Sequence, residues 1–101
     1  MNNSEVQNNF GVMLQKETGK NNENLENGAE LLRLSAEQGN MHGMANYGIS
    51  LKKGDGVKID FVKAKQYLKK SADLGYSYAQ INYCFILLEN VNKTSNDICE
   101  A

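Results

Sequence analysis

At 101 residues and 41% hydrophobic content, the chain carries apolar material for one modest domain and no second independent core. Its 11 basic and 12 acidic residues nearly cancel, which argues against a general nucleic-acid footprint and against a polyacidic tail. Cys84 and Cys99 stand outside any CxxC pair and no apolar run reaches membrane-spanning length, so a disulfide framework, a zinc site and membrane insertion are all disfavoured.

The first residues, Met-Asn-Asn-Ser-Glu, lack a basic n-region and an apolar h-region, so a cytoplasmic protein with reduced thiols is expected. On that expectation the acceptor-like triplets Asn2-Asn3-Ser4 and Asn92-Lys93-Thr94 are read simply as polar termini. A short helix is predicted over residues 4–16. Residues 20–27, Lys-Asn-Asn-Glu-Asn-Leu-Glu-Asn, read as a long polar connection.

The next predicted unit runs over residues 27–53. Gly28, Leu31, Leu32, Ser35 and Ala36 share one helix face, and Gly39 stops that helix by taking a left-handed conformation at low cost. Asn40 is the expected N-cap of the helix that follows. Lys53-Gly54-Asp55-Gly56-Val57 is a turn. It has no GK[ST] sequence, no preceding strand, and too few spaced acids for a phosphate or calcium loop.

The third predicted segment covers residues 61–91. Ala64, Tyr67, Leu68, Ser71 and Ala72 form its stripe, Gly75 is the stop, and Ser77 is the expected cap of the final helix. Residues 92–101 read as a polar tail.

The last two units are copies. Leu31–Gly39 aligns without a gap on Tyr67–Gly75 at an offset of 36 residues, and the register continues from Asn46-Tyr47 to Asn82-Tyr83 and from Leu51 to Leu87. A half copy precedes them, in which Asn9-Phe10-Gly11-Val12 resembles Asn46-Tyr47-Gly48-Ile49 and Gly19 falls where Gly56 does. The expected architecture is an all-α, right-handed solenoid of five helices in about two and a half units.

Ser-Ala-x-x-Gly at 35–39 and 71–75, Asn46-Tyr47-Gly48, Ala79-Gln80 with Asn82-Tyr83, and Gly54-Asp55-Gly56-Val57 with Asp60 and Ala64 resemble the Sel1-like repeats, relatives of the tetratricopeptide repeats, over residues 5–91. Departures fall at Gly28, Gly43 and Cys84, in the places of Ala64, Ala79 and Gly48, and are expected to loosen packing locally. The resemblance implies an adaptor or scaffold binding a protein or peptide along a curved face, with no catalytic residues, cofactor or small-molecule substrate. An enzyme accessory domain and a piece of a longer array are the competing readings.

Candidate chemistry is sparse. His42 has no partner ligands near it in sequence, and Cys84 lies among apolar residues, where a thiol acts as a small apolar group. A Cys84–His42 nucleophile pair lacks any oxyanion-hole signature. The charged faces are more informative: Glu30, Arg33, Leu34 and Glu37 on one helix stand beside Lys65, Gln66, Lys69, Lys70 and Asp73 on its copy. A groove for an acidic or mixed-charge peptide is expected there, drawn from Arg33, Leu34, Glu37, Gln66, Lys69, Lys70 and Asp73. Residues 52–70 hold seven lysines, but nucleic-acid binding also needs stacking aromatics, and Phe61 and Tyr67 are expected to be taken up by turn and core.

The ends of the array are apolar where a solenoid end is ordinarily polar. Val6, Phe10, Met13 and Leu14 would pack on a missing first partner, and Ile81, Cys84, Phe85 and Leu88 on a missing last one. Phe10, Met13, Ile81, Phe85 and Leu88 are therefore the expected residues of self-association or end-to-end contact.

Overall fold

Apolar residues at helical spacing and glycine stops produce five helices across the described residues, 3–16 and 22–94, of a computed structural model. They are α1 (Asn3–Lys16), α2 (Asn22–Glu37), α3 (Met41–Lys53), α4 (Phe61–Asp73) and α5 (Ser77–Thr94). No strand occurs among the described residues. Each helix packs on its neighbours in sequence, and α3 also touches α1 and α5, so α1, α3 and α5 form one layer and α2 and α4 the other. That is the two-layer stack of a small solenoid.

Two helix boundaries differ from the sequence reading. The segment read as a polar connection is helical from Asn22 onward, because Leu25 and Gly28 give that polar turn something to pack on. Gly56 lies against the Leu25 carbonyl, where an added Cβ would come within 2.1 Å, and the Gln15 amide donates to the Leu25 carbonyl at 3.2 Å. At the other end α5 continues to Thr94, so residues 92–94 belong to the last helix rather than to the tail. Gly19 and residues 95–101, including Cys99, lie outside the described residues.

The caps follow the same logic with one exchange. Asn40 caps α3 as expected, its Oδ1 accepting from the amides of His42 at 2.8 Å and Gly43 at 3.0 Å. Ser77 does not cap α5, since it is already the first helical residue. Tyr76 occupies the cap position, and its carbonyl accepts from the Gln80 amide at 3.1 Å. Asp60, read only as part of the connection, caps α4 by accepting from the Lys63 amide.

Leu32 and Leu68, at equivalent positions, are the largest apolar side chains fully buried, together with Ile86. The repeated serines do more than leave room. Ser35 Oγ donates to the Ser4 carbonyl and Ser71 Oγ to the Met41 carbonyl, each at 2.7 Å, so both units tie the same position to the first turn of a helix in the other layer. α1 joins the stack through further polar side chains. Asn46 donates to Asn8, Ser50 donates to Gln15, and Gln15 donates to the Asp55 carbonyl.

Gly28 tightens packing rather than loosening it. A Cβ on Gly11 would sit 2.8 Å from the Gly28 carbonyl oxygen, and one on Gly28 would sit 2.7 Å from that of Gly11, so α1 and α2 cross backbone to backbone. Gly43 likewise admits the Ser35 side chain, whose Oγ would lie 2.2 Å from an added Cβ.

Candidate functional site

In α2, Arg33 lies one turn after Glu30 and one before Glu37, and it bonds both. Its Nη1 meets Glu37 Oε2 at 2.5 Å, while Nε and Nη2 form a fork on the Glu30 carboxylate, with Nε 3.1 Å from Oε1. The Arg33 hydrogen bond holds the Glu30 carboxyl below its usual range, with burial opposing it and the guanidinium charge adding to it. The two carboxylates push Arg33 further above its ordinary value. This wall carries two acids and one base, all partly exposed and screened.

The equivalent positions of α4 repeat half of this pattern. Lys69 Nζ bonds Asp73 Oδ2 at 3.0 Å, four residues on, as Arg33 bonds Glu37. That hydrogen bond raises the Lys69 pKa. Gln66 stands where Glu30 does, and Lys70 where Leu34 does. Lys70 has no carboxylate within ion-pair distance among the described residues; its Nζ lies over the Tyr67 ring, 5.9 Å from the centroid.

Two tyrosines link the walls. Tyr47 of α3 is 7% exposed and meets Tyr67 of α4 edge to face, with ring centroids 5.3 Å apart and planes at 72°. Burial pushes the Tyr47 hydroxyl pKa up, as does Tyr67, while Arg33 opposes and Glu30 and Glu37 reinforce the shift. The Tyr47 hydroxyl therefore lies within the field of the α2 ion cluster. Glu30, Arg33 and Glu37 thus lie to the α2 side of the buried Tyr47, and Tyr67 with Lys70 to its α4 side.

The other residues expected to line a groove lie on different surfaces. Leu34 is half-buried on the flank of α2 nearer α1, where Gln38 donates to its carbonyl and also to Gln7 of α1. Gln66 borders a small apolar hollow with Phe61, Val62 and Lys65. The Lys69–Asp73 pair lies on the other flank of α4, where Lys69 senses Tyr83 as Arg33 senses Tyr47. Tyr47 and Tyr67, which pack together between these charged positions, are residues that the charge pattern does not single out. A signal for Tyr47 exists in the sequence, since tyrosine recurs at 47 and 83, whereas Tyr67 replaces Leu31 of the preceding unit.

The alternative chemistries gain little. His42 is half-buried and packs edge-on against Tyr76 at 4.6 Å, its Nδ1 3.8 Å from Glu5 Oε2. Cys84 is exposed rather than packed as a small apolar group, so no buried His42–Cys84 contact forms. An open hollow of about 360 Å³ beside the turn is lined by Glu26, Gly54, Gly56, Val57 and Lys58, which pair no nucleophile with a base. No group of three His, Cys, Asp or Glu residues that could hold a metal occurs among the described residues. Nor is any described helix long and apolar enough to cross a membrane.

Phe61 also departs from expectation. It is 41% exposed at the start of α4 instead of being taken up by the turn. Its equivalent, Leu25, lies under the Gly54–Val57 turn, whereas α5 passes the matching positions as helix. The nearby lysines are not gathered into one stacking surface, as Lys52 bonds Glu89 and Lys69 bonds Asp73.

Val6, Phe10 and Met13 are 47–50% exposed on α1, and Ile81, Phe85 and Leu88 are 52–58% exposed on α5. The Sel1 repeat profile matches residues 4–40 and 42–76. The chain belongs to the Sel1 repeat family. Its matched segments pair α1 with α2 and α3 with α4, the two closest helix pairings in the stack. Sel1 repeats are generally protein-interaction modules, so a general scaffold role follows for this Sel1 repeat chain. No curated protein matches the chain.

Proposed function

We propose that this Sel1 repeat chain is a non-catalytic adaptor that holds an extended, mixed-charge segment of a partner protein in the groove between α2 and α4. The observation that carries the reading is the contrast between Arg33 and Lys70. Arg33 is occupied by two carboxylates of its own helix, so the α2 wall offers acceptors to a basic partner residue. Lys70, held over Tyr67 with no carboxylate partner among the described residues, offers a cation to an acidic one. Tyr67, half-buried beside Lys70, supplies apolar area with little side-chain entropy to lose on binding.

Contacts of this kind select by charge register more than by area. Selection of a random peptide library on the folded chain tests the proposal. Enriched peptides should carry an acidic residue a few positions from a basic one, and Lys70→Glu should replace the acidic preference with a basic one. If no peptide is enriched, or if Lys70→Glu leaves the selected sequences unchanged, the groove is not the binding site.

A further inference from the structure

Helices α1, α3 and α5 share one design, but their outer faces are not equivalent. Gly11 of α1 meets Gly28 of α2, and Gly48 of α3 meets α4 almost as closely: a Cβ on Gly48 would lie 3.0 Å from Leu68 Cγ and 3.1 Å from the Ala64 carbonyl oxygen. The same position in α5 is Cys84. A cysteine there would put a Cβ and a sulfur into the space that α3 leaves open for α4. The chain direction agrees with this steric difference. α3 ends at Lys53 and turns through Gly54 and Gly56, whereas α5 continues as helix through the matching positions to Thr94. Its outer face is therefore not shaped to receive a helix as α3 receives α4.

That face is nevertheless apolar. Ile81, Phe85 and Leu88 follow one another at i, i+4 and i+7, each more than half exposed, while Ala79 and Ile86 on the opposite side are fully buried against the stack. No charged residue occurs from Ser77 to Leu88, and Glu89 bonds Lys52 of α3. A helix apolar on both sides is a helix with a second surface to bury.

We propose that the α5 face binds the α5 face of a second copy, making a two-fold dimer. A two-fold contact must be complementary to itself, and a neutral stripe meets its own copy without like-charge repulsion. Among the described helices α2 and α4 each have stacking neighbours on both sides, so the unstacked helices a second copy offers are α1 and α5. Joining α5 to α1 would be head-to-tail and would leave an unfilled α5 and α1 at the ends of a growing chain, whereas joining α5 to α5 closes. One helix face is small beside the roughly 800 Å² per partner of a standard interface. A dimer of micromolar affinity is expected.

This contact lies away from the α2–α4 groove, so its failure would leave the adaptor reading standing. Light scattering of the full chain at on the order of 100 μM tests it, with Cys99→Ser as the background so that Cys84 alone can cross-link. The expected mass is twice 11.2 kDa. Phe85→Asp should weaken the dimer by on the order of thirtyfold or more with helicity unchanged, since the side chain is exposed. Phe10→Asp on α1 should leave it intact. Mild oxidation should yield a Cys84-linked dimer, as each Cys84 flanks the middle of the stripe. A monomer at that concentration, a concentration-dependent series of larger species, or equal loss of mass from Phe10→Asp would each overturn the proposal.

Discussion

Gly11 and Gly28 hold α1 and α2 so close that neither can carry a side chain: the Cβ that alanine would add at either lies within 2.8 Å of the other's carbonyl oxygen. Alanine would gain about 1 kcal/mol of helix propensity over glycine at either position. The backbone clash should exceed that gain, because overpacking at a rigid contact costs about 1–3 kcal/mol. Urea denaturation of Gly28→Ala should show a net loss of stability. Gly39→Ala, at a helix stop with φ +86°, should also destabilise, but through backbone conformation, since nothing lies near its Cβ.

The caps separate two neighbouring polar positions. Asn40→Ala removes the acceptor for two amides and should cost about 1 kcal/mol. Ser77→Ala should be near neutral, because Ser77 is inside α5 and exposed. Thermal melts of the two variants would distinguish them. Equal losses would contradict the placement of Tyr76 at the cap.

Acid titration reports on the α2 wall. Glu30 has a folded pKa below its unfolded value near 4.5, so its contribution is present above that pH and is lost as pH falls through the folded value. Both partners are partly exposed, which limits the effect to under about 1 kcal/mol. Arg33→Ala should flatten stability against pH between about 5 and 3. It should do so less at high salt, where the pair is already screened.

Gln15 joins three elements through one amide, with Leu25 of α2, Ser50 of α3 and Asp55 of the turn as its partners. Gln15→Leu should therefore expose α1 and the start of α2 to faster hydrogen exchange while α4 and α5 are unchanged. The expected loss is about 1–3 kcal/mol, the cost of leaving part-buried acceptors unpaired.

The repeat makes the stack legible. An offset of 36 residues carries Leu32 to Leu68 and Ser35 to Ser71, and these pairs occupy matching places in the core. What the pattern does not convey is backbone distance. A glycine in place of alanine at Gly28 reads as lost packing until the facing Gly11 is seen, and the turn from Asn22 to Asn27 lacks the apolar period that marks a helix. The charged residues of the proposed groove are legible in the sequence, and its aromatic neighbours are not. Arg33, Glu37 and Lys70 follow from the surface pattern, whereas Leu34 turns toward α1 and Tyr47 joins the site from the other layer of helices. Cys84 reads as a packed thiol because its neighbours in sequence are rich in Phe and Leu, and only the absence of a facing helix among the described residues exposes it.

The adaptor reading rests on the Lys70–Tyr67 wall more than on any other feature. Measured directly, a mixed-charge peptide recovered by selection should bind the wild-type chain, as followed by fluorescence anisotropy. Lys70→Glu should weaken that binding at least about tenfold, and a matching acid-to-lysine change in the peptide should restore it. Equal affinities across all four combinations would contradict the account.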